Sequence, residues 1–149
     1  MFTTFTGELE GSYFCLNRIT KAEQELLNED NFLFKQGDRF LESAGFNRQW
    51  PSGRGIFHNT DKTLLIWVNQ EDQLNITSMQ QGPDLKAVFQ RLAAATSQIE
   101  NVAKYAKDDH LGYITSCPTN CGTSLKASVR LKLIYLAKKE NRSRLNSII

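Results

Sequence analysis

Residues 56–79, IFHNTDKTLLIWVNQEDQLNITSM, carry the pattern that decides the fold. Three apolar or β-branched runs, at 56–58, 63–68 and 74–79, alternate with polar turn residues, as is typical of strands. Only residues 69–73 separate the last two runs, which is short enough for a hairpin with a longer loop. We therefore predict an antiparallel sheet at the centre of the fold.

Helices are predicted before and after these runs in the sequence. Thr20 and Glu23 match a capping box, which favours a short helix to about residue 28, and 38–44 is expected to be a second one. Asp84 is a good N-cap for a long helix over about 84–105 that packs on one face of the sheet. Its predicted apolar stripe consists of Leu85, Val88, Phe89, Leu92, Ile99 and Val102.

Two further strands are predicted in the same sheet, at 111–117 and 125–133. In the second, apolar residues alternate with polar ones, so that one face would enter the core and the other would present cations. The basic tail from residue 136 onward is predicted to be helical. Together these elements indicate an α+β fold, a mostly antiparallel sheet flanked by helices.

Composition excludes several functional classes. The chain has 149 residues, 40% of them hydrophobic and 23% charged, which predicts one globular domain. No apolar run is long enough to span a membrane, and the first residues do not resemble a secretion signal, so we expect a cytoplasmic protein. Three oddly spaced cysteines and two distant histidines indicate neither a disulfide framework nor a metal site.

Charge is distributed unevenly along the chain. Residues 1–31 carry six acidic and two basic side chains, whereas residues 126–149 carry seven basic side chains and one acidic. Aromatic residues do not interleave with these cations as a nucleic-acid platform would require. The expected partner of the basic end is therefore a smaller anion, and neither nucleic acid nor a membrane.

Several side chains could carry chemistry. Glu71 and Asp72 place adjacent carboxylates in the predicted hairpin loop, where they could hold a cation or accept a proton, or simply form a solvated turn. Cys117 precedes Pro-Thr-Asn, where a thiolate could be stabilised, although free cysteines are commonly buried as small hydrophobic groups. The cations on the predicted strand 125–133 could contact phosphate or form a solvated strand face.

Several blocks of the sequence, in one order, resemble the phosphagen (ATP:guanido) kinase family over about residues 5–136. The blocks include WPSGRGIFHN at 50–59, LIWVNQED at 65–72, ITSMQ at 76–80, LGY at 111–113 and CPTN at 117–120. The stretches FLFK at 32–35, GDRFL at 37–41 and KASV at 126–129 are similar to its arginine kinase branch. The resemblance implies the catalytic C-terminal domain of that family, with its antiparallel sheet flanked by helices.

The resemblance implies reversible transfer of the γ-phosphoryl group of MgATP to a guanidino nitrogen, with arginine as the expected substrate. By this resemblance Glu71 holds and polarises the guanidinium, and Cys117 is the thiolate that helps to align it, with Thr119 in the same substrate-binding block. MgATP or MgADP binds as substrate, Mg²⁺ is held by the nucleotide, and no tightly bound cofactor or protein metal site is implied.

The nucleotide-binding positions implied by the resemblance depart from the family pattern. The positions are Asn31, Asn75, Lys126, Ala127, Ser128, Val129 and Arg130. Asn75 stands where the family has a phosphate-binding arginine, and Lys126 stands where it has another. Lysine keeps the charge but not the bidentate fork. Asn31 and Arg130 replace histidines that sandwich the adenine, and Gln73 replaces a further histidine.

The resemblance also predicts that residues 1–149 form a partial C-terminal catalytic domain without the family's N-terminal substrate domain. The first hypothesis is an arginine kinase-like phosphotransferase domain of weak or no activity as this chain. The second is a non-catalytic paralogue that binds nucleotide weakly or modulates a full-length kinase by homo- or hetero-association. The third is an incomplete product that is not independently stable.

Overall fold

Four antiparallel strands form the main sheet in the computed structural model, which describes residues 5–37 and 39–132. Each strand pairs with its neighbour in the chain, in the order β1-β2-β3-β4. The strands are β1 (Gly11–Cys15), β2 (Gly55–Asn59), β3 (Leu64–Val68) and β4 (Leu74–Ser78). The predicted antiparallel sheet and its central hairpin are confirmed, with the α+β class.

Strand β1 was not predicted from the sequence. Its residues, GSYFC, are half-buried or exposed and lack a period-two apolar pattern. It forms because its backbone pairs in register with β2, from Gly11 opposite Asn59 to Cys15 opposite Gly55. The close approach has a steric requirement: a Cβ on Gly55 would lie 2.0 Å from the Tyr13 hydroxyl.

Three helices flank the sheet at or near the predicted positions. They are α1 (Lys21–Glu29), α2 (Arg39–Ser43) and α3 (Leu85–Glu100). The capping box at the start of α1 is confirmed, since the Thr20 hydroxyl accepts the Glu23 N–H and the Glu23 carboxylate accepts the Thr20 N–H. These hydrogen bonds lower the pKa of Glu23. Two short 3-10 helices cover Gly7–Leu9 and Pro118–Asn120.

The apolar stripe predicted for α3 is wrong in part. The residues that this helix buries are Arg91, Ala95 and Ile99, whereas Leu85 and Phe89 remain 61% and 56% exposed. Val102, beyond the helix end, is 55% exposed. The predicted stripe is wider than the buried face, because α3 packs against β4 through a narrow line of residues spaced four positions apart.

Two hydrophobic clusters lie on the two faces of the sheet. Successive residues alternate between them, with Ile56 in one and Phe57 in the other, as the pleat of a strand requires. The α3 cluster contains Phe5, Leu9, Phe57, Leu64, Ile66, Ala95 and Ile99. The α1 cluster contains Leu16, Leu27, Phe32, Phe34, Ile56 and Leu65.

Two of the predicted strands are not found as such. Of 111–117, only Gly112–Tyr113 (β6) is a strand, and it pairs with Lys107–Asp108 (β5) in a separate two-stranded sheet. Residues 125–132 form no strand, and Leu125 and Leu131 are 52% and 68% exposed. Alternation indicates which face a strand would bury, but the described residues provide no neighbouring strand for 125–132. Residue 133, Asp38 and the tail predicted to be helical lie outside the described residues.

Buried polar side chains brace the ends of the sheet. Asn59 is fully buried, and its amide nitrogen donates to the Glu8 carbonyl and the Thr63 hydroxyl. Its amide oxygen accepts the backbone N–H groups of Thr63 and Leu64 at 2.8 Å. One side chain therefore supplies hydrogen-bond partners for the backbone of the turn between β2 and β3, as buried polar groups require.

In residues 5–37 and 39–132, no helix is long and apolar enough to span a membrane.

Candidate functional site

The loop between β3 and β4 is held in one conformation by its own backbone and by a neighbouring turn. Asn69 adopts a left-handed φ of 55°, and its N–H donates to the Gln73 carbonyl at 3.0 Å. Its side-chain amide donates to the Gly53 carbonyl at 2.8 Å. These contacts fix the loop that carries the adjacent carboxylates Glu71 and Asp72.

Ser116 joins this loop to the segment that carries Cys117. The Ser116 N–H donates to the Asp72 carboxylate at 2.6 Å, and its hydroxyl donates to the Glu71 carbonyl at 2.9 Å. The link spans more than 40 residues of sequence. It places the backbone of Glu71 next to Ser116, the residue before Cys117.

The Cys117 thiol lies at the start of the second 3-10 helix. Its sulfur is 2.9 Å from the Thr119 hydroxyl oxygen, so these two predicted substrate-binding residues are in contact. Cys117 is half-buried and free of any disulfide, like the other two cysteines. A carboxylate and a thiolate are both groups that can accept hydrogen bonds from a planar cation with several N–H donors.

A second thiol, Cys121, lies on the other side of the same turn. The Thr115 hydroxyl is 3.5 Å from its sulfur and donates to the Cys117 carbonyl at 2.7 Å. Hydrogen bonding to the Thr115 side chain, and then to its backbone, lowers the pKa of the Cys121 thiol. From the sequence, Cys121 has a weaker case for reactivity than Cys117, and nothing in the sequence indicates Thr115.

A cleft of about 350 Å³ opens beside the carboxylates. It is lined by residues 69–73 and by the loop between α2 and β2. Arg54 pins that loop, because its guanidinium donates to the carbonyls of Arg48 and Ser52 at 2.8 Å and also to that of Phe46. The Arg54 Nε is buried, and no partner for it exists in the described part of the chain. These hydrogen bonds hold the loop in one conformation on its side of the cleft.

The predicted nucleotide-binding residues are spread over the surface. Asn31 follows α1 with a φ of 58°, and Asn75 is exposed on β4. Lys126, Ala127, Ser128, Val129 and Arg130 lie on exposed chain without regular structure. Within residues 5–37 and 39–132, no hydrogen bond or ion pair joins these three regions. The structure therefore links Glu71, Cys117 and Thr119, but not the nucleotide set.

Another cleft, of about 380 Å³, lies between residues 6–9 and α3, and none of the predicted site residues lines it. In the described ranges, no three His, Cys, Asp or Glu side chains are grouped so that they could hold a metal ion.

Comparison with known proteins assigns the chain to a family. The whole chain, residues 1–149, matches the family model for the C-terminal catalytic domain of ATP:guanido phosphotransferases. The chain belongs to this family. Among curated ATP:guanido phosphotransferases, it is 54% identical to arginine kinase from Polybetes pythagoricus over 138 residues, covering 93% of this chain and 39% of that protein. It is 53% identical to arginine kinase from Limulus polyphemus over 136 residues, covering 91% of this chain and 38% of that protein.

A solved structure from the same family also superposes closely. The duplicated taurocyamine kinase from Schistosoma mansoni, with bound transition state analog components, matches with a TM-score of 0.91 and 46% identity. That match covers 99% of this chain and 21% of the other. The chain thus spans about two fifths of the length of the arginine kinases it matches, and a smaller share of the duplicated enzyme.

Sequence reasoning missed the residues that assemble the site. Ser116 precedes Cys117 but belongs to no recognisable pattern, and its partners lie in a distant loop. Arg54 lies within the WPSGRG block, yet it stabilises the loop through three backbone carbonyls that only the folded loop brings together. Sequence spacing cannot reveal such contacts.

Proposed function

We propose that this chain is an arginine kinase-like phosphotransferase domain, which transfers the γ-phosphoryl group of MgATP reversibly to a guanidino nitrogen. The observation that carries the proposal is the double hydrogen bond from Ser116 to the loop of Glu71 and Asp72. It supports a guanidinium site in which Glu71 and Cys117 act on the same acceptor. Family membership supports the reaction class.

In this proposal, Glu71 positions the guanidinium and accepts a proton from the attacking nitrogen. As the bond from that nitrogen to the γ-phosphorus forms, the bond from phosphorus to the oxygen of ADP breaks. Cys117, with Thr119 beside it, aligns the acceptor for in-line transfer. Positioning and electrostatic stabilisation supply most of the catalysis in phosphoryl transfer. Mg²⁺ enters with the nucleotide as part of the substrate.

The nucleotide side of the proposed site has fewer of the family's phosphate-binding charges than the resemblance implies. Lys126 and Arg130 supply positive charge, but Asn75 carries none at a position where the family has a phosphate-binding arginine. In other phosphoryl-transfer systems one well-placed arginine is worth roughly 10³–10⁵ in rate. We therefore expect low turnover and weak, salt-sensitive binding of MgADP.

Phosphorus NMR of MgATP and arginine mixed with the purified chain tests this function, with a full-length arginine kinase as positive control. We expect slow formation of phosphoarginine that Glu71→Gln abolishes. Turnover equal to the control would contradict the expected weakness. Turnover unaffected by Glu71→Gln would contradict the proposed acceptor site.

Restoring the family's arginines sharpens the test. The double variant Asn75→Arg/Lys126→Arg should tighten MgADP binding, measured by calorimetry at low and high salt, and should raise turnover. Gln81→Arg adds a positive charge at an exposed position outside the proposed site and serves as control. Equal gains from both variants would indicate a general charge effect instead of a nucleotide site.

A second proposed role is association with a full-length kinase. The exposed apolar residues of 125–132 support it, since Leu125, Val129 and Leu131 are 52%, 62% and 68% exposed. Sedimentation of the chain mixed with a full-length arginine kinase tests this role, and two unshifted boundaries would argue against it. We further propose a cytoplasmic location, which suits three free cysteines.

A further inference from the structure

The Thr115 hydroxyl contacts both thiol-bearing residues of the turn at 117–121. It donates to the Cys117 carbonyl at 2.7 Å, and its oxygen is 3.5 Å from the Cys121 sulfur. Thr115 is half-buried and lies two residues before Cys117, on the segment that leads from β6 into the turn. The proposed phosphoryl transfer has so far given this side chain no role.

Backbone hydrogen bonds hold together the two ends of the segment that carries Thr115. The Tyr113 N–H donates to the Gly122 carbonyl at 2.8 Å, and the Gly122 N–H donates to the Tyr113 carbonyl at 3.2 Å. The Ile114 N–H donates to the Ala106 carbonyl at 3.0 Å. Thr115 therefore begins a loop whose base is closed.

The Cys117 carbonyl lies where the turn begins. It accepts the Asn120 N–H at 3.0 Å as well as the Thr115 hydroxyl, so both lone pairs of this oxygen have a donor. The Cys117 sulfur is 2.9 Å from the Thr119 hydroxyl oxygen within the same turn. Because the carbonyl and the thiol belong to one residue, a donor that fixes the carbonyl also limits the directions in which the thiol can point.

Ser116 and Thr115 constrain different parts of the chain around Cys117. The Ser116 N–H and hydroxyl bind the loop of Glu71 and Asp72, which sets where the chain enters the turn. The Thr115 hydroxyl binds the carbonyl of Cys117, and so restricts rotation about the two backbone bonds of that residue. The first link sets the position of the turn, and the second sets the direction of the thiol.

We propose that Thr115 is a positioning residue of the guanidinium site, which acts through the Cys117 carbonyl to hold the Cys117 thiol in the direction that the acceptor requires. The inference rests on the proposed function and adds a residue to its acceptor side. Orientation of the groups around the reactants contributes directly to the rate of phosphoryl transfer. Thr115 itself has no contact with the acceptor in this proposal.

Three variants separate the hydroxyl of Thr115 from the bulk of its side chain. Thr115→Val removes the hydroxyl and nearly keeps the shape, whereas Thr115→Ser keeps the hydroxyl and loses a methyl group. Thr123→Val is the matched control, because it removes an exposed hydroxyl just beyond the turn that accepts the Leu125 N–H. All variants are made in the full 149-residue chain.

The first measurement detects the hydrogen bond without any ligand. Loss of a hydrogen-bond donor moves the carbon resonance of a carbonyl upfield, so Thr115→Val should shift the Cys117 carbonyl in this direction. Thr115→Ser and Thr123→Val should leave it near its wild-type position. Triple-resonance NMR measures the shift. An unmoved Cys117 carbonyl in Thr115→Val would overturn the inference, because the hydroxyl would then not hold it.

The second measurement is the binding of butylguanidine, a guanidinium on an uncharged chain, by two-dimensional NMR titration. Thr115→Val should raise its dissociation constant about twofold to threefold, somewhat less than the loss of one whole hydrogen bond would. Thr115→Ser should restore the wild-type value, and Thr123→Val should have no effect. Equal weakening by Thr115→Val and Thr115→Ser would overturn the inference, since packing and not the hydroxyl would then be responsible.

Glu71→Gln separates failure of the inference from failure of the proposed function. Binding of butylguanidine that is weakened by Glu71→Gln but not by Thr115→Val would overturn the inference while the acceptor site stands. If butylguanidine does not bind the wild-type chain, or binds Glu71→Gln equally well, the acceptor site is overturned and the positioning role with it. Weakening by both changes, with rescue by Thr115→Ser, would support both.

Discussion

The acceptor side and the nucleotide side of the proposed site differ in how they are built. On the acceptor side, the loop of Glu71 and the turn of Cys117 are joined by hydrogen bonds that cross more than 40 residues. On the nucleotide side, Asn31, Asn75 and residues 126–130 lie apart on exposed surface. On the acceptor side the loop of Glu71 is positioned by β3 and β4, whereas on the nucleotide side only Asn75 lies in the main sheet.

This contrast shows what the four-stranded sheet can position by itself. A loop between two paired strands inherits their register, so the place of Glu71 follows from β3 and β4. Residues 125–132 have no such constraint within the described ranges. We therefore expect changes in the sheet to affect guanidine binding strongly and to leave the surroundings of Lys126 and Arg130 almost unchanged.

Phe57→Ala should cause the largest loss in the free energy of unfolding. Phe57 is fully buried and packs edge-on against Phe5 at 5.1 Å between ring centroids, so truncation should cost about 3–5 kcal/mol. Urea unfolding followed by circular dichroism measures the loss. Phe89→Ala, at a residue that is 56% exposed, is the matched control and should cost far less. Similar losses in both variants would mean that the sheet core does not dominate stability.

Asn59→Ala should cause the next largest loss in the free energy of unfolding. The change leaves the N–H groups of Thr63 and Leu64 without their acceptor in a buried turn, which should cost about 3 kcal/mol. The same unfolding measurement applies. Asn75→Ala, at an exposed position of the same sheet, should stay within about 0.5 kcal/mol of wild type. A neutral Asn59→Ala would contradict the bracing role of this amide.

Ser116→Ala tests the link between the two halves of the acceptor side. It removes the hydroxyl that donates to the Glu71 carbonyl and leaves every charge in place. We expect affinity for butylguanidine to fall about threefold to fivefold, as for the loss of one hydrogen bond of about 1 kcal/mol. Ser97→Ala on α3 is the control. Unchanged affinity would show that the guanidinium site does not need this link.

Thr115→Val should produce the smallest effect, on the titration of Cys121. Hydrogen bonds from Thr115 lower the pKa of this thiol, so its thiolate forms at a lower pH than that of an ordinary cysteine. Removal of the hydroxyl should raise the pKa and slow alkylation of Cys121 near neutral pH. Iodoacetamide labelling across a pH series, mapped by mass spectrometry with Cys15 as internal reference, measures the shift. A pH profile unchanged by the substitution would contradict the assigned cause.

The sequence predicted those elements whose signals are local. The capping box of α1 and the N-cap Asp84 of α3 depend on residues three positions apart, and both were confirmed. Strands β2, β3 and β4 were recognisable from short apolar runs and turns. Strand β1 was missed because only pairing with β2, at least 40 residues away, gives GSYFC its conformation.

The opposite error occurred at 125–132, the described part of the strand predicted over 125–133. Its alternation of Leu125, Ala127, Val129 and Leu131 with polar residues is the strongest period-two pattern in the chain. Alternation describes the faces of a strand but does not supply the neighbouring strand that completes its hydrogen bonds. The candidate site shows the same limit, since resemblance indicated Glu71 and Cys117, but only the folded chain revealed Ser116 between them.

The buried guanidinium of Arg91 has a consequence for the order in which the chain can fold during synthesis. It donates to the Glu8 carboxylate across 83 residues of sequence, and also to the Ser78 hydroxyl and the Gln80 side chain. Residues 5–9 therefore cannot gain their final contacts until α3 has left the ribosome. Until then Phe5 and Leu9 lack part of their cluster. Residues 5–9 are thus translated well before the helix that secures them.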